Sequence, residues 1–247
     1  MIMRSLSKLR GSPLTGVCLA IAICMLAGGA LAGEIKLSTV RLDLSDRQTS
    51  TSLTLTNADP EKTVIHLRAL LWNQSNGHDA VEPTDDLIIN PPIAEIASGA
   101  SQLVRIGYRG KLQTASEKSY RLLVEEVPQR DREHKQVVET YLKISVPIFI
   151  APLDKPEAKL TAAFSHDMTD ALVLHNAGAA HIRVVKYGVS SGGAALAAAH
   201  QGLFYVLPGA NLLLPLDPHE LKPAASAVLD VMSDEGPMQL PLAPASE

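Results

Sequence analysis

The chain has 247 residues, 22 Lys and Arg against 26 Asp and Glu, a formal net charge of −4 and 46% apolar residues. The acidic balance argues against a nucleic-acid partner. The only two cysteines, Cys18 and Cys24, lie near the start, which excludes a disulfide-built scaffold.

Residues 1–32 read as a signal peptide. Arg4, Lys8 and Arg10 form its basic region, residues 14–26 an apolar core too short to span a bilayer, and Ala30-Leu31-Ala32 a small-x-small site with cleavage after Ala32. Both cysteines fall inside this segment, and neither is preceded by the small residue that lipoprotein processing prefers, so the product is expected to carry no thiol, disulfide or lipid anchor. Processing removes three of the 22 basic side chains and no acid, leaving 19 against 26 and a net charge of −7. No later apolar run has the length of a transmembrane helix, so no stable membrane insertion is expected after cleavage. The remaining 215 residues suit two domains of modest core.

High Val, Ile, Leu and Thr, with Pro and Gly punctuation every 8–15 residues, predicts an all-β chain built of sandwiches. Residues 34–44 read as a first strand with Arg41 embedded in it, and residues 49–56 as a second, ended by Asn57-Ala58-Asp59-Pro60. A third covers 63–72, followed by the hairpin signal Asn76-Gly77. Residues 86–93 give a short edge strand broken by Pro91 and Pro92. Strands over 100–108 and 118–127 follow, closed by Pro128. Residues 137–150 form the last and longest strand of this half, roughly 46 Å at about 3.3 Å per residue. Side chains alternate along it, so Val138, Thr140, Leu142, Ile144, Val146 and Ile148 share one face, and Glu139, Tyr141, Lys143, Ser145 and Pro147 the other. Pro147 has no ladder donor and puts at least the C-terminal part of the strand at a sheet edge or bulge. Two readings stay open: an ordinary sandwich strand filling its own core, or a strand kept available for donation to another protein, blunted only by the charged run at 129–136.

This makes about seven strands over residues 33–152, the count of an immunoglobulin-like sandwich. Residues 153–157 read as a proline-bearing linker, and residues 158–247 as a second β domain. Its strands are predicted at 160–164, 171–176, 182–189, 203–206, 212–216 and 227–232. The Ala-rich stretch 193–199 reads equally as a loop or a helical turn, and residues 237–247 as weakly structured.

Catalytic signatures are missing. The eight histidines lack metal-site spacing, and Ser190-Ser191-Gly192-Gly193 lacks the flanks of a nucleophile elbow. Glu125 and Glu126 are strand neighbours on opposite faces and cannot act as a carboxylate pair. No cofactor, no metal and no enzymatic activity are expected. What stands out is a set of basic residues inside strands: Arg41, Arg68, Arg105, Arg121 and Lys143. Each reads as a solvated strand position, yet arginines converging on one cleft would make a carboxylate site, because the guanidinium fork offers two parallel donors.

Several segments together resemble the periplasmic pilus-assembly chaperones of the chaperone–usher pathway. They are the early strand with Arg41; Leu53-Thr54-Leu55-Thr56-Asn57; Trp72 before a polar turn; Asp86 through Ile93; Gln102-Leu103-Val104-Arg105-Ile106; Ser119-Tyr120-Arg121-Leu122 running to Pro128; and Val146-Pro147-Ile148-Phe149-Ile150-Ala151-Pro152. Tyr205-Val206-Leu207-Pro208-Gly209 extends the likeness thinly into the second half. The resemblance implies two immunoglobulin-like β-sandwich domains in a boomerang arrangement. It implies a non-enzymatic chaperone that binds pilin or fibre subunits by donor-strand complementation and passes them to an outer-membrane usher. The lent face would be Val138, Thr140, Leu142, Ile144 and Val146. The best-studied branch anchors the subunit carboxylate with an arginine in the first strand and a lysine late in the donor strand. Arg41 matches the former; the lysine position falls on Pro147. The ending from Val146 to Pro152 looks more like the divergent branch of archaic or spore-coat-like fibres, with Arg105, Arg121 and Lys143 as substitute anchors. A structural subunit or adhesin on the same fold is the alternative, and a secreted hydrolase a third reading.

Overall fold

The computed structural model describes residues 35–110, 114–128, 141–153, 156–165, 171–196, 198–216 and 227–243. The expected signal peptide, the charged run at 129–136, and Val138 and Thr140 lie outside them. All described secondary structure is β. The first ten strands are β1 (Ile35–Leu37), β2 (Leu42–Leu44), β3 (Ser50–Asn57), β4 (Thr63–Ser75), β5 (His78–Pro83), β6 (Leu87–Asn90), β7 (Ile93–Ile96), β8 (Ser101–Tyr108), β9 (Lys118–Glu126) and β10 (Lys143–Ile150). They form a four-stranded sheet, β1-β3-β8-β6, facing a second sheet, β2-β10-β9-β4-β5, in which β7 also pairs with β4. Apolar residues alternate along each strand, so one face of each sheet closes a shared core that includes Leu53, Leu55, Ile65, Leu67, Val104, Ile106, Leu122 and Val124.

Two segments read from sequence as single strands are each two strands in different sheets. β1 pairs antiparallel with β3, whereas β2 pairs parallel with β10, from Leu42↔Ile148 to Leu44↔Ile150. Residues 38–41 make the crossing, held by a hydrogen bond from Thr39 Oγ1 to the Arg41 carbonyl at 2.8 Å. Pro91 and Pro92 make the second crossing, from β6 beside β8 to β7 beside β4, with a cis bond at Asn90-Pro91. At both crossings the core-facing set changes phase, from Ile35 and Leu37 to Leu42 and Leu44 and from Leu87 and Ile89 to Ala94 and Ile96, a shift that the single-strand reading passed over. The β4–β5 hairpin turns at Asn76 and Gly77 with φ of 51° and 78°, the paired left-handed geometry that the Asn-Gly signal favours.

β10 differs from its sequence reading in where it is exposed. It runs antiparallel to β9 along its whole length, from Lys143↔Glu125 to Ile150↔Lys118, but meets β2 only from Ile148 onward. The C-terminal half, placed at an edge on the strength of Pro147, is therefore interior. Among the described residues, the uncovered edge is the half upstream, Lys143 to Pro147. Val146, Ile148 and Ile150 are at most 1% exposed in the core, while Ile144 is only partly buried against it.

The second sandwich contains β11 (Leu160–Phe164), β12 (Ala171–Asn176), β13 (Ile182–Ser191), β14 (Ala194–Ala195), β15 (His200–Val206), β16 (Asn211–Pro215), β17 (Ala227–Ser233) and β18 (Gly236–Ala243). The pairing path is β14-β13-β17-β18-β11-β12-β16, with β15 on β13, around a core centred on Leu172, Leu174, Val184, Tyr187, Leu214 and Leu229. The Ala-rich stretch contributes β14, a short hairpin arm on β13, not a helical turn. Residues 236–243 are a strand, against the expectation of weak structure. Met238, Leu240 and Leu242 alternate onto the core, and both prolines are paired with β17, Pro241 opposite Val228 and Pro237 opposite Met232. The parallel β11 pairing begins only at Leu242, past both prolines.

Candidate functional site

The outer face of the β2-β10-β9-β4-β5 sheet gathers most of the basic residues singled out from sequence. Because Leu122, Val124, Val146 and Ile148 point into the core, their neighbours Arg121, Leu123, Glu125, Lys143, Ser145, Pro147 and Phe149 point out. At one end this face meets the second sandwich. Trp72 and Phe149 pack there with Leu207, Ala210 and Tyr205. The Phe149 ring stacks on His181 with centroids 3.6 Å apart, and Tyr205 meets Trp72 edge-on at 5.4 Å. Glu117 Oε1 accepts both the His181 backbone N–H at 3.2 Å and its Nδ1 at 2.7 Å, with both side chains nearly fully buried. Gln74 donates to the Tyr205 carbonyl at 2.6 Å and accepts from Leu207 N–H at 2.9 Å.

Two guanidinium groups stand over this aromatic floor. The Arg121 guanidinium carbon lies 3.5 Å from the Trp72 ring centroid and 5.6 Å from that of Tyr205; its side chain is 17% exposed, and its nearest acid, Asp79, is 3.8 Å away. Burial lowers its pKa from the ordinary arginine value, with the Asp79 charge acting against that, and the group stays charged. Arg41 sits at the start of β2 with its guanidinium carbon 5.1 Å from the Phe149 centroid, and donates from Nε to both Asp43 oxygens at 2.9 and 3.1 Å. The Trp72 and Phe149 centroids are 6.0 Å apart, so the two cations flank one patch. A shallow cavity of about 410 Å³ opens beside Arg121, between Leu70, Val81, Leu123 and Ser145. Fixed guanidiniums on aromatic faces beside an apolar trough suit a chain end: a carboxylate on the cations, apolar side chains in the trough.

The remaining basic residues divide. Lys143 shares the face and, like Arg41 with Asp43, is engaged by an acid, Glu125 at 3.0 Å, as is Arg68 at 2.6 Å, but neither stands over the aromatic floor. Those two hydrogen bonds, Arg68's first, hold the Glu125 carboxyl below its ordinary 4.5. Arg105 does not join the group. It lies on β8, in register with Ser52 and Asn90, in the opposite sheet with its side chain pointing outward. Strand alternation distinguishes inside from outside, but not one outer face from the other. Sequence reading missed the aromatic floor itself; its one available signal was the single Trp beside a polar turn. Among the described residues, no group of three or more His, Cys, Asp and Glu side chains is placed to hold a metal ion, and no helix is long and apolar enough to cross a membrane.

Residues 34–155 match the family model of the pili and flagellar-assembly chaperone, PapD N-terminal domain. No curated protein sequence matches the chain significantly. Among solved structures, a chain of the chaperone–tip adhesion subunit pre-assembly complex from the archaic Csu pili of Acinetobacter baumannii superposes with a TM-score of 0.64 at 20% identity, over 86% of this chain and 100% of that one. The complex of SafA pilin with the SafB chaperone of Salmonella enterica gives 0.60 at 16% identity, over 87% and 99%. The CupB2 chaperone of Pseudomonas aeruginosa gives 0.56 at 16%, over 84% and 100%. These likenesses show the fold: two immunoglobulin-like sandwiches in tandem.

Proposed function

Since the chain belongs, through residues 34–155, to the PapD-like pilus-assembly chaperones, we propose that it works in the periplasm, binding pilin or fibre subunits by lending them a strand and handing them to an outer-membrane usher. The activity involves no covalent step and no cofactor. The observation that carries this reading is the open edge of β10. Among the described residues, the strand from Lys143 to Pro147 is paired on the β9 side only, so its other side offers backbone donors and acceptors to an incoming strand.

The lent face is narrower than the alternation implies. Val146 is committed to the protein's own core at 1% exposure, which leaves Leu142 and Ile144, with Val138 and Thr140 continuing the pattern in sequence. Burying Val138, Leu142 and Ile144 in a client at about 1.5–3 kcal/mol each is worth roughly 4–9 kcal/mol before ordering costs. Arg121 and Arg41 are the anchor for the client's terminal carboxylate. Arg121 supplies, from β9 directly opposite Pro147, the cation missing at Pro147 itself. That substitution and the Val146–Pro152 ending support the divergent, archaic-type branch.

The test is co-expression of the mature protein in a periplasm with the pilin encoded beside its gene, followed by affinity pull-down. A soluble one-to-one complex is expected, reduced at least tenfold by Leu142→Asp and by Ile144→Asp and severalfold by Arg121→Ala, with the circular dichroism of each variant unchanged. Equal capture by both aspartate variants would overturn strand donation.

A further inference from the structure

The structure assigns to Glu125 and Glu126 a positioning role: they form a two-sided clamp where the paired half of the lent strand begins, Glu125 selecting its register through the Lys143 side chain and Glu126 fastening its backbone. This rests on the strand-donation reading. On the outer face, Glu125 stands directly opposite Lys143, the first residue of β10. Its Oε2 accepts from Arg68 Nη2 at 2.6 Å and Nε at 3.1 Å, tying it inward to β4, while Oε1 meets Lys143 Nζ at 3.0 Å. Glu126 repeats the arrangement on the other face. Its Oε1 accepts from Thr63 Oγ1 on β4 at 3.1 Å; its Oε2 accepts from Leu142 N–H at 3.4 Å, and its own N–H donates to the Leu142 carbonyl at 2.9 Å. Each carboxylate thus has one prong on an interior strand and one on the strand to be lent. Opposite orientation, which rules the pair out for acid–base work, is what lets it grip both faces.

The clamp answers a specific ambiguity. Slipping β10 by one residue would turn Lys143 and Ser145 toward the core and is forbidden by burial. A slip of two residues is not, because Thr140, Leu142, Ile144, Val146 and Ile148 all suit the inner face. Only the outer face distinguishes the registers, since a two-residue slip puts Tyr141 or Ser145 opposite Glu125 in place of Lys143.

The mature full-length chain carrying Glu125→Gln and Glu126→Gln together tests this by amide hydrogen exchange, which needs no client, alongside pull-down of the co-expressed pilin. Exchange at Leu142 and Ile144, whose N–H groups face β9, is expected to rise at least fivefold while β4 and Ile148–Ile150 stay within twofold, and retained pilin to fall severalfold. Unchanged exchange at Leu142 and Ile144 would overturn the clamp. So would a uniform rise across both sandwiches, which is ordinary loss of stability. Failure of the wild type to capture pilin would refute the chaperone reading instead, and the exchange data keep the two failures distinct.

Discussion

Tyr187 is fully buried in the second core, and its hydroxyl donates to the Pro215 carbonyl at 2.7 Å. Burial raises its pKa from 10.0 to about 12. A phenol whose folded value is raised contributes fully below the unfolded value, and that contribution drains away as pH climbs through the folded one. Denaturant midpoints measured from pH 9 to 12 should therefore fall above pH 10, by on the order of 1 kcal/mol from this group after solvent screening. Tyr187→Phe should flatten the decline without abolishing it, because Tyr120, fully buried and bonded to Asp86 at 2.7 Å, is pushed upward as well. An identical profile in Tyr187→Phe would show that the phenol's titration is not coupled to folding. Single residues were legible in sequence mainly where chemistry is local. Arg41 and Arg121 stood out as charges inside strands, but the floor beneath them joins Trp72 and Phe149 to Tyr205 and His181, partners from the other sandwich that no local pattern announces.

At the scale of elements, nearly every predicted strand exists, and two of the misreadings concern which neighbour a strand meets. Alternation reports that a side is buried, not which neighbour buries it. Residues 34–44 change sheets between Leu37 and Leu42, where the alternation shifts phase over too short a break to read as two strands, and the proline signal, right for Pro147 itself, fails for the three residues after it because β2 covers them. β18 was hidden by prolines that do not interrupt its pairing with β17. The division within β10 carries a prediction. Ile144 is partly buried beside the open edge, whereas Ile148 is fully buried between β2 and β9. Ile144→Asp should cost no more than about 1–2 kcal/mol in chemical denaturation, and Ile148→Asp about 4 kcal/mol or more through an uncompensated buried charge. Similar losses at the two positions would mean that β10 is internal throughout and has no half to lend.

Across the whole molecule, residues 34–247 form one compact unit, and the reason lies in the character of the contact between the sandwiches. It combines the Trp72–Phe149–Tyr205 cluster with directional bonds: Glu117 to His181, Gln74 to Tyr205 and Leu207, and Leu213 N–H to the Gly77 carbonyl at 3.0 Å. Gly77 also has no room for a side chain, since a Cβ there would fall within the Leu213 side chain at a φ of +78°. An apolar patch alone would let the sandwiches slide; bonds of fixed direction do not. His181→Ala removes the imidazole that stacks on Phe149 and takes from the buried Glu117 carboxylate its side-chain donor while keeping the backbone N–H of residue 181, a loss of roughly 2–3 kcal/mol at the junction. Differential scanning calorimetry should then resolve two transitions where the wild type shows one, and Gly77→Ala should do the same from the opposite side of the contact. A single transition moved to lower temperature in both variants would mean that the sandwiches unfold together for reasons other than this junction. Two transitions would mean that the bonds at one end of the β10 face are what couple the first sandwich to its neighbour, and so hold the Arg121 and Arg41 guanidiniums over their shared aromatic floor.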